Sequence, residues 1–350
     1  MASELDPEPS LIAPRNSLEL KLQQIWEKLL SVSPISMYDD FFKLGGDSIS
    51  AMSLLALVAQ ETGCPLPAGG VFQAPTIAQM AELLTASSDP TQWSALVPIQ
   101  AHGSKPPLFC IHPGGGNVLC YIRLSKYLGE DQPFYGLQAP GVDGIRQPLI
   151  SIGDMAEEYC AAIRQRQPHG PYHIAGWSAG GVIAYEVAQR LTAAGEKVNY
   201  LGIIDSGVLY TMGIVKAMAP AEGAGVLAMM GRSAQQNIVD FRQLSSEAKL
   251  IPDEADDEVA IRIMELFQSN VRAVCYYSPK PYAGRLDLYQ AAEQLVPSRR
   301  QPFSEWSQLC SDARLHVVPG NHLTVIHEPN VQVLADAMEK TLQEVNGGLA

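Results

Sequence analysis

The sequence predicts two folds in one chain: a small all-α bundle over residues 16–85 and a larger α/β domain over residues 106–350. Three observations carry this expectation. In the first stretch apolar residues recur at helical intervals, with no strand of consequence. Residues 86–105 then change to turn and linker composition. Beyond them, short apolar runs alternate with helix-like stretches, the pattern of a largely parallel sheet covered on both faces. At 350 residues the chain also exceeds the commonest domain size.

Residues 1–15 read as a flexible leader. Asn16 caps a first helix, with Glu19 three residues later in capping-box spacing, and Leu18, Leu22, Ile25 and Leu29 form its apolar stripe. Asp47 or Ser48 starts a second helix through Ile49, Met52, Leu55, Ala56 and Ala59, which Gly63 ends. Thr76 and Gln79 mark a further start, with Ile77, Met80, Ala81 and Leu84 facing inward. In the linker, Ser87, Ser88, Asp89, Pro90, Pro98, Gly103 and Ser104 are turn residues. Trp93 and Leu96–Ile99 are apolar, so part of the segment is expected to dock or to form an edge strand.

Strands are expected at Leu108–Ile111, Phe134–Leu137, Tyr172–Ala175, Tyr200–Ile204, Arg285–Tyr289 and Arg314–Val318, with helices such as Met155–Gln165 and Val182–Ala194 between them. From Gly207 to Val274 the alternation stops. That segment shows only helical patterns with Met212, Met218, Met229 and Met230. A helical lid over a hydrophobic site suits it, and a set of ordinary packed helices fits the pattern equally well.

Composition excludes several classes. Hydrophobic residues at 47% and charged residues at 17% suit a globular protein with a sizeable core. A net charge of −13 argues against a nucleic-acid surface, which needs clustered Lys and Arg. No apolar run is long enough to span a bilayer, and Met1–Ser10 lacks the basic start and apolar stretch of a signal peptide. The cysteines (64, 110, 120, 160, 275 and 310) form no C-x-x-C pair, so neither a metal site nor a redox motif is expected. The reading is a cytoplasmic protein with buried thiols.

Gly176-Trp177-Ser178-Ala179-Gly180-Gly181 fits G-x-S-x-G, a nucleophile elbow, with a strand before it and a helix after it. A serine needs a base, and the base needs an orienting acid. His322, just past the last expected strand, is the best base. His316 alternates within that strand, and His327 lies further on. For the acid, Asp205 ends an apolar strand, and Glu293 follows the next one as its rival. Asp287, inside a strand, reads as structural. Asp205 is preferred, and either choice keeps the order nucleophile, acid, histidine of an α/β-hydrolase. His112-Pro113-Gly114-Gly115-Gly116 follows the first strong strand of this domain. Its backbone N–H groups, assigned to Gly115, can form an oxyanion hole together with the amide of Ala179. A phosphate loop is the alternative, but no Lys-Ser/Thr follows at the required spacing.

Residues 107–340 resemble the type I thioesterase domains that terminate non-ribosomal peptide and polyketide synthases. The motifs are Pro107 to Gly116, Gly176 to Gly181, Ile204-Asp205-Ser206 and Gly320-Asn321-His322. Residues 16–85 resemble a peptidyl or acyl carrier domain through Asp39-Asp40-Phe41-Phe42 and Leu44-Gly45-Gly46-Asp47-Ser48-Ile49. Asp47 stands where the carrier motif often has His. The resemblance implies a four-helix carrier followed by an α/β-hydrolase with a helical lid at about 207–274. It implies that Ser48 carries 4′-phosphopantetheine, added by a phosphopantetheinyl transferase, and that Ser178 takes over the acyl or peptidyl chain for hydrolysis or cyclisation. Read from the residues alone, Ser48 also fits a helix N-cap position. Upstream adenylation, condensation or ketosynthase domains are expected partners, on a larger polypeptide. Neither nucleic acid nor membrane is expected as a partner. A stand-alone carboxylesterase or lipase would not need residues 16–85. A non-catalytic carrier interaction module would not need a full triad.

Overall fold

The computed structural model describes residues 11–64, 66, 69–86, 93–207, 257–293 and 302–347. They form two compact units that meet in sequence between Trp93 and Ser94. The first unit holds α1 (Ser17–Leu30), α2 (Ser48–Thr62), the short α3 (Gly70–Gln73) and α4 (Ile77–Thr85). Its core comprises Leu22, Trp26, Phe41, Leu54, Val58, Ile77 and Met80, with Trp26 edge-on to Phe41 at 4.9 Å. The fourth helix, α3, has four residues and so carries no readable periodicity.

Asn16 caps α1 by accepting the Glu19 N–H at 2.9 Å. The expected capping box is only half made. The Glu19 carboxylate reaches past Asn16 to the N–H of Arg15 (2.6 Å) and to its guanidinium (2.6 Å). A cation on the preceding residue offers more than a lone amide, and its hydrogen bonds hold the Glu19 carboxyl below the usual range. Around Ser48 the box is complete. Asp47 accepts from the N–H groups of Ile49 and Ser50, and Ser50 Oγ accepts the N–H of Asp47 at 2.7 Å. Asp47 is therefore the cap, and Ser48 is the first residue of α2.

The second unit is built on a seven-stranded sheet in the order β1-β3-β2-β4-β5-β6-β7. The strands are β1 (Leu96–Gln100), β2 (Leu108–Ile111), β3 (Phe134–Leu137), β4 (Tyr172–Trp177), β5 (Val198–Ile204), β6 (Tyr282–Ala291) and β7 (Cys310–Val318). Only β1 runs antiparallel, at the edge beside β3. The apolar stretch at 96–99 is therefore an edge strand, and the folded unit already begins at Ser94. The helices are α5 (Ile122–Tyr127), α6 (Ile152–Arg166), α7 (Ala179–Ala193), α8 (Asp257–Cys275), α9 (Pro302–Leu309) and α10 (Asn330–Gly347). Of the segment read as a lid, residues 208–256 lie outside the described residues, and α8 is its described end.

β2 pairs with β3 on one side and β4 on the other. The chain leaves β2 toward β3 and leaves β4 toward β5, so the loops after these two neighbours part in opposite directions. Such a switch point opens a crevice at the carboxyl ends of the strands. Strands β2, β3 and β4 are buried along their whole length, as expected with both faces covered.

Candidate active site

Ser178 follows β4 directly and precedes α7, at φ 58° and ψ −129°. A non-glycine residue there is strained by ~1–3 kcal/mol, so its surroundings must hold it. They do so through the backbone. The Ser178 N–H donates to Ile204 C=O at 3.1 Å, and its C=O accepts from Gly181 N–H and from Ser206 Oγ. The turn is too tight for side chains. A Cβ on Gly176 would lie 2.2 Å from the Gly180 oxygen, and one on Gly180 would lie 2.3 Å from the Ile111 oxygen.

His322 Nε2 lies 3.0 Å from Ser178 Oγ, and His322 Nδ1 lies 2.8 Å from Asp205 Oδ2. A carboxylate only accepts, so Nδ1 carries the proton and Nε2 is left to accept the serine O–H. The second oxygen of Asp205 accepts the Ala291 N–H at 2.9 Å. Asp205 is fully buried, and its φ of 40° turns the chain sharply at the end of β5. Glu293 does not reach the histidine: its side chain is exposed and its N–H donates to Gly320 C=O. Asp287 sits inside the sheet, clasped by Arg285 at 2.7 Å and His316 at 2.9 Å. Burial raises its pKa, but those two partners together outweigh it and hold the carboxyl below the usual range.

The glycine turn follows β2 beneath the N-terminus of α7. His112 is fully buried, with Nδ1 2.8 Å from Pro113 C=O and Nε2 2.6 Å from the Tyr159 hydroxyl. Since a carbonyl only accepts, Nδ1 carries the proton, and Tyr159 donates to Nε2. Desolvation pushes the His112 pKa down to about 4. His173, buried in β4, is likewise lowered to about 4 by desolvation. Both folded values lie below the ordinary 6.5, so the unfolded chain binds more protons between the two. Stability is thus fully present above pH ~6.5 and is lost as pH falls toward ~4. By pH 5 the loss is expected to be about 2 kcal/mol per histidine, read as a lower urea midpoint than at pH 7.5. His173→Gln should remove about half of that drop, and a midpoint that stays flat over this range would refute the assignment.

Comparison with known proteins places this geometry. The thioesterase domain family matches residues 106–342, more than half of the chain. The chain belongs to the thioesterase family. Ahead of the thioesterase domain, residues 21–84 match the phosphopantetheine attachment site family. Chondramide synthase cmdD of Chondromyces crocatus is 32% identical over 95% of this chain. A dimodular nonribosomal peptide synthase of Bacillus subtilis is 32% identical over 83% of it. The chain spans only 9% and 12% of these two relatives. Among solved structures, a four-domain nonribosomal peptide synthetase bound to AMP and glycine aligns over 97% of this chain and 27% of its own, at TM-score 0.62 and 24% identity. The NocB thioesterase domain aligns over 71% of this chain and all of its own, at TM-score 0.56 and 25% identity. The thioesterase domain has the α/β-hydrolase fold, and the helical region before it is a carrier.

In the thioesterase domain the structure brings together Ser178, Asp205 and His322, three residues spread over more than 140 positions. Ala179 is the first residue of α7, and Gly115 lies at the middle of the glycine turn. Ser48 heads a helix in the separate carrier unit, half-buried. Sequence reasoning missed the side chains that hold the triad. Tyr121 hydroxyl donates to Ile111 C=O at 2.6 Å and accepts the Trp177 N–H at 3.0 Å, bridging β2 and β4 where they part. Trp177 indole donates to His322 C=O, and Trp306 indole to Ser206 C=O. Trp177 and Ser206 at least lie within the Gly176–Gly181 and Ile204–Ser206 motifs. Tyr121 and Trp306 carry no local signal.

Proposed function

We propose that this chain releases the finished acyl or peptidyl chain of a nonribosomal peptide or polyketide-type assembly line. The observation that supports it is the Ser178–His322–Asp205 hydrogen-bond chain on the same polypeptide as a phosphopantetheine attachment domain. In this reading Ser48 bears the pantetheine arm. A helix N-terminus tolerates a phosphodiester well, and the Asp47 cap leaves the serine side chain unencumbered by that task. In this reading the domains run as carrier 16–85, linker 86–105 and thioesterase 106–350, with a lid at about 207–274, and the end of the linker that holds β1 is docked on the thioesterase sheet.

The geometry supports the following reaction. Ser178 Oγ attacks the thioester carbonyl while His322 Nε2 takes its proton, and Asp205 stabilises the imidazolium. The carbonyl oxygen becomes an oxyanion facing the N–H groups of Ala179 and Gly115. Collapse breaks the carbon–sulfur bond, His322 returns the proton to the departing thiolate, and the acyl group remains as an ester on Ser178. Water, or a nucleophile within the acyl chain, then repeats the sequence and frees the product. The proposed partners are a phosphopantetheinyl transferase, upstream synthase domains and their acyl or peptidyl product. The proposed setting is the cytoplasm, without nucleic acid or membrane. Among the described residues no helix is long and apolar enough to cross a membrane, and no cluster could hold a metal ion.

Intact mass after treatment with a phosphopantetheinyl transferase and an acyl-coenzyme A tests the proposal. Ser48 should gain the acylated arm, and the acyl group should then move to Ser178. Ser48→Ala should abolish loading while leaving hydrolysis of a free acyl-thioester mimic within about twofold, because loading and acyl transfer lie in separate units. Equal loss of both activities would sink the assignment.

A further inference from the structure

We infer that Asn270 is a positioning residue of the oxyanion hole, setting the direction of the Gly115 N–H through the carbonyl of Gly114. The inference rests on the reading of Gly115 and Ala179 as oxyanion donors. Asn270 lies on α8, is 1% exposed and holds Gly114 C=O through Nδ2 at 2.8 Å. A carbonyl accepts only, so the amide nitrogen must be the group that faces it. In a planar trans peptide the C=O and the N–H point in opposite directions. Pinning Gly114 C=O toward Asn270 therefore aims the Gly115 N–H away from α8.

The neighbouring peptide is held by other means. Pro113 C=O accepts from His112 Nδ1 at 2.8 Å and from Gly116 N–H at 3.0 Å. Among the described residues, packing leaves the Gly115 side of the Gly114–Gly115 unit open. A Cβ placed on Gly115 would find only Asn117 Nδ2, at 3.9 Å. A run of glycines has the most backbone freedom to lose, and an oxyanion hole works only when its donors are already in place. The hydrogen bond from Asn270 supplies that order.

The same face of α8 accounts for two of the three glycines in the turn. Phe267 would lie 3.0 Å from a Cβ on Gly114, and Leu266 3.4 Å from one on Gly116. Leu266, Phe267 and Asn270 are spaced to share one helical face. Glycine lets α8 approach closely enough for Asn270 to reach the backbone. The helix at the end of the 207–274 segment thus carries part of the catalytic geometry.

The test compares Asn270→Ala and the isosteric Asn270→Asp with wild type in the full chain, using a short acyl-thioester, an alkylboronic acid and a non-hydrolysable thioether analogue. The boronic acid forms a tetrahedral adduct on Ser178 that places an oxygen in the oxyanion hole, and the thioether does not. Losing a direct donor costs ~10²–10³-fold in kcat, so losing its support is expected to cost ~10–100-fold. Boronate affinity should weaken by the same factor, with KM and thioether affinity within about twofold. Asp keeps the shape, so it reports on the lost donor even if Ala disturbs folding. Boronate affinity retained in both variants overturns the inference, as does equal weakening of boronate and thioether. A wild-type protein that binds no boronic acid, or binds it equally well as Ser178→Ala, overturns the oxyanion reading and the inference with it.

Discussion

Ser178→Ala is expected to lower kcat for release of an acyl-thioester by ~10⁶-fold, with pantetheinylation of Ser48 unaffected. The expectation follows from what remains in the crevice. His322 would keep its hydrogen bond to Asp205, but it would have no O–H to deprotonate. The residual rate would come from oxyanion donors acting on attacking water. Substrate affinity should change little, because Ser178 Oγ contributes chemistry rather than surface. An acyl-loaded carrier should therefore accumulate, visible by intact mass as an arm that never discharges. The substitution also reports on strain. Alanine inherits the unfavourable backbone angles, whereas Ser178→Gly relieves them and should raise stability by about 1–3 kcal/mol in urea denaturation while remaining inactive. Turnover in Ser178→Ala within tenfold of wild type would rule out Ser178 as the nucleophile.

Asp205→Asn is expected to slow acylation by ~10⁴-fold with little change in stability or KM. Asp205 serves two donors at once, the His322 Nδ1–H at 2.8 Å and the Ala291 N–H at 2.9 Å. An asparagine offers one acceptor oxygen and an NH₂ group in the same space. If the oxygen keeps the Ala291 N–H, the NH₂ faces Nδ1 and forces the proton onto Nε2. In that tautomer the imidazole cannot accept the serine proton. Single-turnover acylation measures this directly, and Glu293→Gln serves as the control, expected within about twofold of wild type. The reverse pattern, with Glu293→Gln impaired and Asp205→Asn active, would transfer the acid role to Glu293.

Much of the fold was legible because short-range rules govern it. The expected strands at Leu108–Ile111 and Phe134–Leu137 coincide with β2 and β3, and the others differ only at their ends. The Asn16, Asp47 and Thr76 caps announce their helices through hydrogen bonds spanning two or three residues. The Glu19 carboxylate shows the limit even at this range. Spacing located it correctly, but a neighbouring charge decided which amide it took.

Ser178 and His322 were legible for a related reason: motif and strand end place a nucleophile and a base at the carboxyl edge of a sheet. Two carboxylates, Asp205 and Glu293, satisfied the same local rule, whereas of the histidines weighed as the base only His322 lay just past a strand end. Pairing in three dimensions separates them. The sharp turn at Asp205 carries its carboxylate over the end of β6 to the Ala291 amide and to His322, while Glu293 spends its amide on Gly320 and points to solvent. Asp287 and His316 form an equally close acid–histidine pair at 2.9 Å, but they sit within neighbouring strands, away from any strand end. The sequence by itself determined the order of elements, the elbow and the chemical types at the site, because these depend on residues a few positions apart. Which acid meets the base, and which of Tyr121, Trp306 and Asn270 hold the backbone around it, depends on contacts across 50 to more than 150 positions. Only the packing of sheet and helices brings such residues together, so only the tertiary structure could decide them.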